Sequence, residues 1–304
     1  MFGSGIFSVL FCVHTEQCVA IWSSYLFYPV GFARLVEESG GAVISDAAFE
    51  YIKITIRCAA RELVRGGASV LCDESEGDHI DMPLLGIYPP SAENIAPEKR
   101  LAMVKEAGFD FVCLGIKAAS QGDPNAITPM MCEKAGLECD NVHLTCNGSH
   151  ALWAPGEEGD AIVARLCREI ELASSWGVRV GIVHTTWGIK PPPPLSDIGL
   201  TRFEAITKCA EEHRFTVAVE NSAFLAYLHP VLEHLQSPFV GYTFDSGHHH
   251  AFANGEDLLG RYGTRLCATH IHDNDGVSDL HLMAFDGNAD WEYVTRGLAN
   301  TPFG

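Results

Sequence analysis

The chain has 304 residues, 47% of them hydrophobic, enough to bury one large α/β core or two smaller ones. Lys and Arg total 20 against 39 Asp and Glu, a formal net charge of −19. That field repels phosphate backbones and anionic lipid, which argues against nucleic acid and membrane surfaces as partners. The 11 cysteines are odd in number, lie scattered through apolar runs such as those of Cys113, Cys167, Cys209 and Cys267, and form no C-x-x-C pair. This is the pattern of free thiols in a reducing compartment.

At the N-terminus, MFGSGIFSVLFCV is apolar but lacks a basic n-region, and HTEQ interrupts it before CVAIWSSYLFYPVGF. It is read as neither leader nor membrane anchor, and the protein as cytoplasmic. Residues 1–80 are expected to form an N-terminal extension with a helix over SDAAFEYIKITIRCAARELVRGG. Residues 69–72 could supply a closing strand that places Asp73 or Glu74 near the rim; an appended segment beside an open barrel is the alternative.

From residue 81 to 304 a beat repeats. Short apolar runs, LLGIY (84–88), FDFVCLG (109–115), NVHLTC (141–146), VRVGIVHTT (178–186), FTVAVEN (215–221), FVGYTFDSG (239–247) and LCATHIHDN (266–274), alternate with helix-period segments. Among the latter are PEKRLAMVKEAG, TRFEAITKCAEEH and DAIVARLCREIELASSWG, the last with Ile162, Leu166, Ile170 and Ala173 on one stripe. Gly108, Gly177 and Gly260 are expected to close helices. Near-continuous apolar strands alternating with amphipathic helices predict parallel βαβ units. Seven such strands without a G-x-G-x-x-G predict a (β/α)8 TIM barrel, incomplete at its C-terminal strand, because the chain stops soon after the helix ADWEYVTRGLAN.

Polar residues close the successive runs: His143, His184, Glu220, Asp245 and His270, with His248 three residues beyond Asp245. Asp279 and His281 form a D-x-H pair, and Asp286 follows in FDG. A barrel rim gathers such residues around one axis, and imidazole and carboxylate are the ligands of borderline divalent cations. Taken singly, His143 is an ordinary rim histidine and Asp245 a turn former; Glu220, ending TVAVE, has few structural uses. His249 and His250 are assigned to the helix start, His213, His229 and His234 to helix surfaces, and His272 to packing or support behind the ligands.

As a set, NVHLTCNGSHALWAPGEEGD, VGIVHTTWG, VAVEN, TFDSGHHHAF and THIHDNDGVSDLHLMAFDGNADW resemble the xylose isomerase-like TIM-barrel superfamily, which includes sugar-phosphate isomerases and epimerases and endonuclease IV. The resemblance covers about residues 83 to 300. It implies a divalent metal, zinc or manganese foremost. His143, His184 and Glu220 would form one group, Asp245 and His270 a second bridged by Glu220, and His248, Asp279 and His281 a third. Asp286 stands where the endonuclease cluster has a Glu. In the isomerase branch a single ion uses the counterparts of Glu220, Asp245 and His270, with a fourth ligand on the last strand that has no counterpart here.

The first function expected is a metal-dependent isomerase or epimerase of a small sugar or sugar phosphate, working by proton transfer next to a carbonyl. Glu220 and His184 are its catalytic candidates; Trp153, Trp187 and Lys190 are candidate substrate contacts, the tryptophans as pocket walls and Lys190 toward a phosphate. The runner-up is a phosphodiesterase of the endonuclease IV kind, with a small phosphoester favoured over duplex DNA because the strand-end loops carry no basic track. A degenerate, ligand-binding barrel is third. A homo-oligomer is left open.

Overall fold

In a computed structural model of the chain, the residues described are 8–11, 84–89 and 95–301. They form one parallel sheet in strict chain order: β1 (Ser8–Phe11), β2 (Leu84–Ile87), β3 (Phe111–Gly115), β4 (Glu138–His143), β5 (Val180–His184), β6 (Thr216–Glu220), β7 (Val240–Asp245) and β8 (Leu266–His270). β1 also lies beside β8, so the sheet curls round. The architecture is a (β/α)8 barrel, incomplete among the described residues because the connection from β1 to β2 lies outside them. The strand that neighbours β2 on this side is Ser8–Phe11, in register with Leu84–Ile87, and it comes from the apolar N-terminal stretch. Residues 69–72 and the helix expected before them lie outside the described residues.

The helices are α1 (Pro97–Glu106), α2 (Ile116–Ser120), α3 (Pro129–Lys134), α4 (Glu157–Ser175), α5 (Asp197–Glu212), α6 (Leu225–His234), α7 (Ser246–Phe252), α8 (Leu258–Tyr262) and α9 (Trp291–Ala299), with a 3-10 turn at Ser149–Trp153. On α4 the expected stripe Ile162, Leu166, Ile170 and Ala173 is buried, as an amphipathic helix against a sheet requires. Glu169 lies on the same stripe; its carboxylate accepts from the Thr145 N–H (2.8 Å) and hydroxyl (2.6 Å), which ties α4 to the end of β4. Gly108 and Gly177 follow α1 and α4 in the left-handed region, both at φ 87°, where a Cβ is strained. Gly260 does not close a helix as expected: it sits inside α8, where its N–H donates to the capping carboxylate of Asp257. Among the described residues no helix is long and apolar enough to cross a membrane.

Two apolar layers follow from the period of two along each strand. Val112, Leu114, Val183, Val217 and Val219 point outward into the main core beneath the helices. Phe111, Cys113, Ile182, Ala218 and Ala268 point inward as a separate cluster. Large side chains in that interior need small neighbours: a Cβ on Gly86 would lie 2.0 Å from the Phe111 ring.

Candidate metal centre

The inward phase continues to the C-terminal ends of the strands. Two residues beyond Ile182 is His184, two beyond Ala218 is Glu220, and two beyond Ala268 is His270. By the same count His143 follows buried Asn141, and Asp245 follows buried Thr243. Register sets their heights, pairing His184 with Glu220 and Asp245 with His270. The ligand-type residues therefore converge on the barrel axis at the end where barrel enzymes build their sites.

Glu220 is 1% exposed and occupies the middle. Its Oε2 lies 3.0 Å from His184 Nε2 and 3.6 Å from His143 Nε2. Its Oε1 lies 3.2 Å from His248 Nδ1 and 3.3 Å from His270 Nδ1. One carboxylate thus joins the group His143–His184–Glu220 to the group Glu220–Asp245–His270. His143 Nδ1–H donates to the Leu144 carbonyl (2.8 Å), which turns Nε2 toward His184 Nε2, 3.1 Å away. Asp245 combines two duties. Its Oδ1 accepts from the His248 N–H (2.7 Å) as the N-cap of α7, while Oδ2 faces His270 Nδ1 at 3.6 Å. Asn221 holds it from behind: Asn221 Oδ1 accepts from the Asp245 N–H and the Tyr242 hydroxyl, and Asn221 Nδ2–H donates to the Asp245 carbonyl.

A third group consists of His272, Asp279 and His281. His248 is the histidine expected there, with His272 in packing or support behind the ligands. His248 Nε2 does approach Asp279 Oδ2 (3.3 Å), but His272 is fully buried, stacks on His281 with ring centroids 4.2 Å apart, and places Nε2 2.9 Å from Asp245 Oδ1. Positions two apart on an extended chain share a face, so the spacing of His270 and His272 was the signal that could have found it. His281 adopts φ 50°, a left-handed conformation that is uncommon for histidine and turns its Nδ1 to within 3.4 Å of Asp279 Oδ1.

The remaining candidates lie elsewhere. Asp286 is exposed, in a turn where its N–H donates to the Met283 carbonyl, and it belongs to none of the three groups. Trp153 is 1% exposed; its Nε1–H donates to the Thr185 carbonyl and its ring packs on Phe203 and Tyr227. A ring so enclosed is core and has no face for a pocket, which corrects its assignment as a pocket wall. Trp187 and Lys190 are exposed on the loop after β5.

Burial opposes charge throughout the cluster, yet the partners decide the outcome. Burial would raise Glu220, but His184 and His270 outweigh it and hold the carboxyl well below its usual range. His248 and His272 likewise hold buried Asp245 low. Burial lowers His184, helped by His143 and His248 against the pull of Glu220. His248 goes the other way, since Asp245, Asp279 and Glu220 overcome its burial and raise it well above the ordinary value.

These donors suit a divalent cation. Tetrahedral coordination with bonds of about 2.0 Å gives ligand–ligand edges of about 3.3 Å. Contacts between donor atoms fall around that edge: 3.0 to 3.6 Å in the first group, His270 to Glu220 and Asp245 at 3.3 and 3.6 Å in the second, and Asp279 to His281 and His272 at 3.4 and 3.8 Å in the third. Fold and cluster together define a parallel-barrel protein with a carboxylate–imidazole centre at its C-terminal rim.

Residues 101–304 match the family model described as xylose isomerase-like TIM barrel, and the chain belongs to that family. The protein y4fM of Sinorhizobium fredii, itself uncharacterized, is 36% identical over a match covering 67% of this chain and 77% of that protein. Among solved structures, a D-tagatose 3-epimerase-like protein superposes with a TM-score of 0.53 at 20% identity, covering 64% of this chain and 79% of its own. The E. coli 3-keto-D-glucoside 4-epimerase gives 0.55 at 15% identity (67% and 82%), and an L-ribulose 3-epimerase 0.54 at 17% (67% and 71%). At these identities the structural likeness speaks for the fold.

Proposed function

We propose that the chain is a metal-dependent isomerase or epimerase of a small sugar or sugar phosphate. The observation that carries this reading is the two-sided placement of Glu220, Oε1 toward His270 and His248 and Oε2 toward His184 and His143. The sugar epimerases among the structural neighbours support it. Glu220, Asp245 and His270 would hold one divalent cation, zinc or manganese being our expectation. When bound, it supplies Lewis-acid stabilisation of the negative charge that develops on the substrate's carbonyl oxygen.

The other side of Glu220 handles the proton. Burial keeps His184 neutral and its Nε2–H donates to Glu220 Oε2 (3.0 Å), so that carboxylate is the base that takes a proton from the carbon next to the carbonyl. The C–H electron pair passes toward the carbonyl oxygen, and the His184 Nε2–H holds Glu220 Oε2 in place for the proton. Return of the proton to the same carbon from the opposite face gives the epimer and needs a second acid; return to the neighbouring carbon gives the isomer.

The runner-up, a metal-dependent phosphodiesterase, draws on the group His272–Asp279–His281, which exceeds what a one-ion site needs. A degenerate barrel loses its main support, because Ser8–Phe11 supplies the eighth strand. The test is an assay of keto–aldose interconversion and epimerisation over a panel of free and phosphorylated sugars, alongside metal analysis. Turnover of a panel sugar with one ion per chain is expected. Two or three ions with hydrolysis of a small phosphodiester, and no sugar turnover, would replace this reading by the runner-up.

A further inference from the structure

Outside the cluster, one histidine joins two loops of the rim. His150, on the 3-10 turn after β4, accepts the Trp187 N–H at Nδ1 (3.0 Å) and donates Nε2–H to the Lys190 carbonyl (2.8 Å). Both partners are backbone groups of the loop after β5, across 37 and 40 residues of chain. One side chain satisfies a donor and an acceptor only as the neutral Nε2–H tautomer.

The anchor beneath it is firm. The buried Arg202 donates from Nη1 to the carbonyls of Ala151 and Leu152, beside His150, and the Ser149 hydroxyl donates to the Cys146 carbonyl. Further along, the loop is held twice more, by the Tyr227 hydroxyl to the Pro193 carbonyl (2.5 Å) and the Ser196 hydroxyl to the Trp153 carbonyl (2.7 Å). Between these ties, Trp187 is 49% and Ile189 75% exposed.

Position gives the clasp its meaning. The first loop leaves from His143 and the second from His184, the two histidines that share Glu220 Oε2. Trp187 comes three residues after His184, so the clasp fixes the backbone from which a half-exposed indole projects on the rim loop. An indole exposed to this extent offers an apolar face, with an N–H at its edge, to a ligand at the rim.

We propose that His150 is a positioning residue: it clasps the β5 loop to the β4 loop and holds Trp187 as the apolar wall against which the C–H face of a sugar ring packs. The nature of the ligand rests on the isomerase reading; the clasp does not.

The test uses the full chain labelled with 5-fluorotryptophan, with the Trp187 19F resonance assigned from Trp187→Phe. His150→Ala should shift or broaden that resonance alone, with cation content equal to wild type, since His150 belongs to none of the three ligand groups. His150→Gln, which keeps one acceptor and one donor, should restore the signal at least in part. For a panel sugar that the wild type turns over, His150→Ala should raise KM about tenfold and leave kcat within about twofold. An unmoved Trp187 signal in His150→Ala overturns the clasp. A moved signal with unchanged KM overturns the wall. If His150→Ala fails to fold, hydrogen exchange decides in the unmodified protein: a protected Trp187 amide is required, and exchange as fast as in an open loop overturns the clasp. Absence of any sugar turnover defeats the isomerase reading and leaves the fluorine and exchange results to judge the clasp.

Discussion

Replacing Glu220 by glutamine keeps the side chain's size and removes its charge. Four imidazole nitrogens lie within 3.0 to 3.6 Å of the two oxygens: His184, His248, His270 and His143. With Glu220 1% exposed, water cannot replace the lost charge. Removing one partner from a buried charged set costs about 3 to 5 kcal/mol, and each 1.4 kcal/mol is about tenfold in affinity. Glu220→Gln should therefore weaken zinc binding by roughly two to three and a half orders of magnitude. The measurement is competition with a chromophoric chelator, using stripped protein at fixed salt, with circular dichroism to show that the variant is folded. A folded variant whose zinc affinity stays within about threefold of wild type would refute the placement of Glu220 at the centre of the site.

Three further outcomes are expected. Asp245 and Glu220 both have depressed folded pKa values, so in stripped protein their stabilisation is fully present above the unfolded values of about 4 and is lost as pH falls through the folded ones; urea unfolding from pH 7 to 3 should show this decline, and Asp245→Asn should flatten it. Arg202→Met should lower the unfolding free energy by roughly 3 kcal/mol, because it strips the Ala151, Leu152, Ala154 and Gly156 carbonyls of their shared donor; a loss below about 0.5 kcal/mol in urea titration would contradict the clamp. His272→Ala should weaken cation binding about 10- to 100-fold by releasing Asp245, whereas Asp286→Ala should leave metal content unchanged, both read by competition titration.

The barrel was legible because parallel strands buried on both faces read as unbroken apolar runs, and the period of two carries straight from Ala218 to Glu220 and from Ala268 to His270. The eighth strand was not: Ser8–Phe11 pairs with residues more than seventy positions away, and nothing local in SVLF distinguishes a strand from an apolar leader. His143, His184, Glu220, Asp245 and His270 stood out because each ends a strand, and strand ends meet at the rim. His272 lies two residues past the end of β8, where an extended segment still obeys the strand period. Trp153 shows the opposite failure. Aromatic residues on rim loops suggest pocket walls, yet its indole N–H finds the Thr185 carbonyl and its ring fills the space left open by Gly199. His150 gave no local signal at all, since its partners are backbone groups of another loop.

Proton exchange at carbon tests the central claim most directly. Protein reconstituted with zinc or manganese is incubated in deuterium oxide with each panel sugar, and the C–H signals next to the carbonyl are followed by proton NMR. Loss of such a signal for at least one sugar is expected, with no loss when Glu220→Gln is used instead. Protein at full cation occupancy that exchanges no carbon-bound proton in any sugar of the panel would contradict a site built for proton transfer next to a carbonyl.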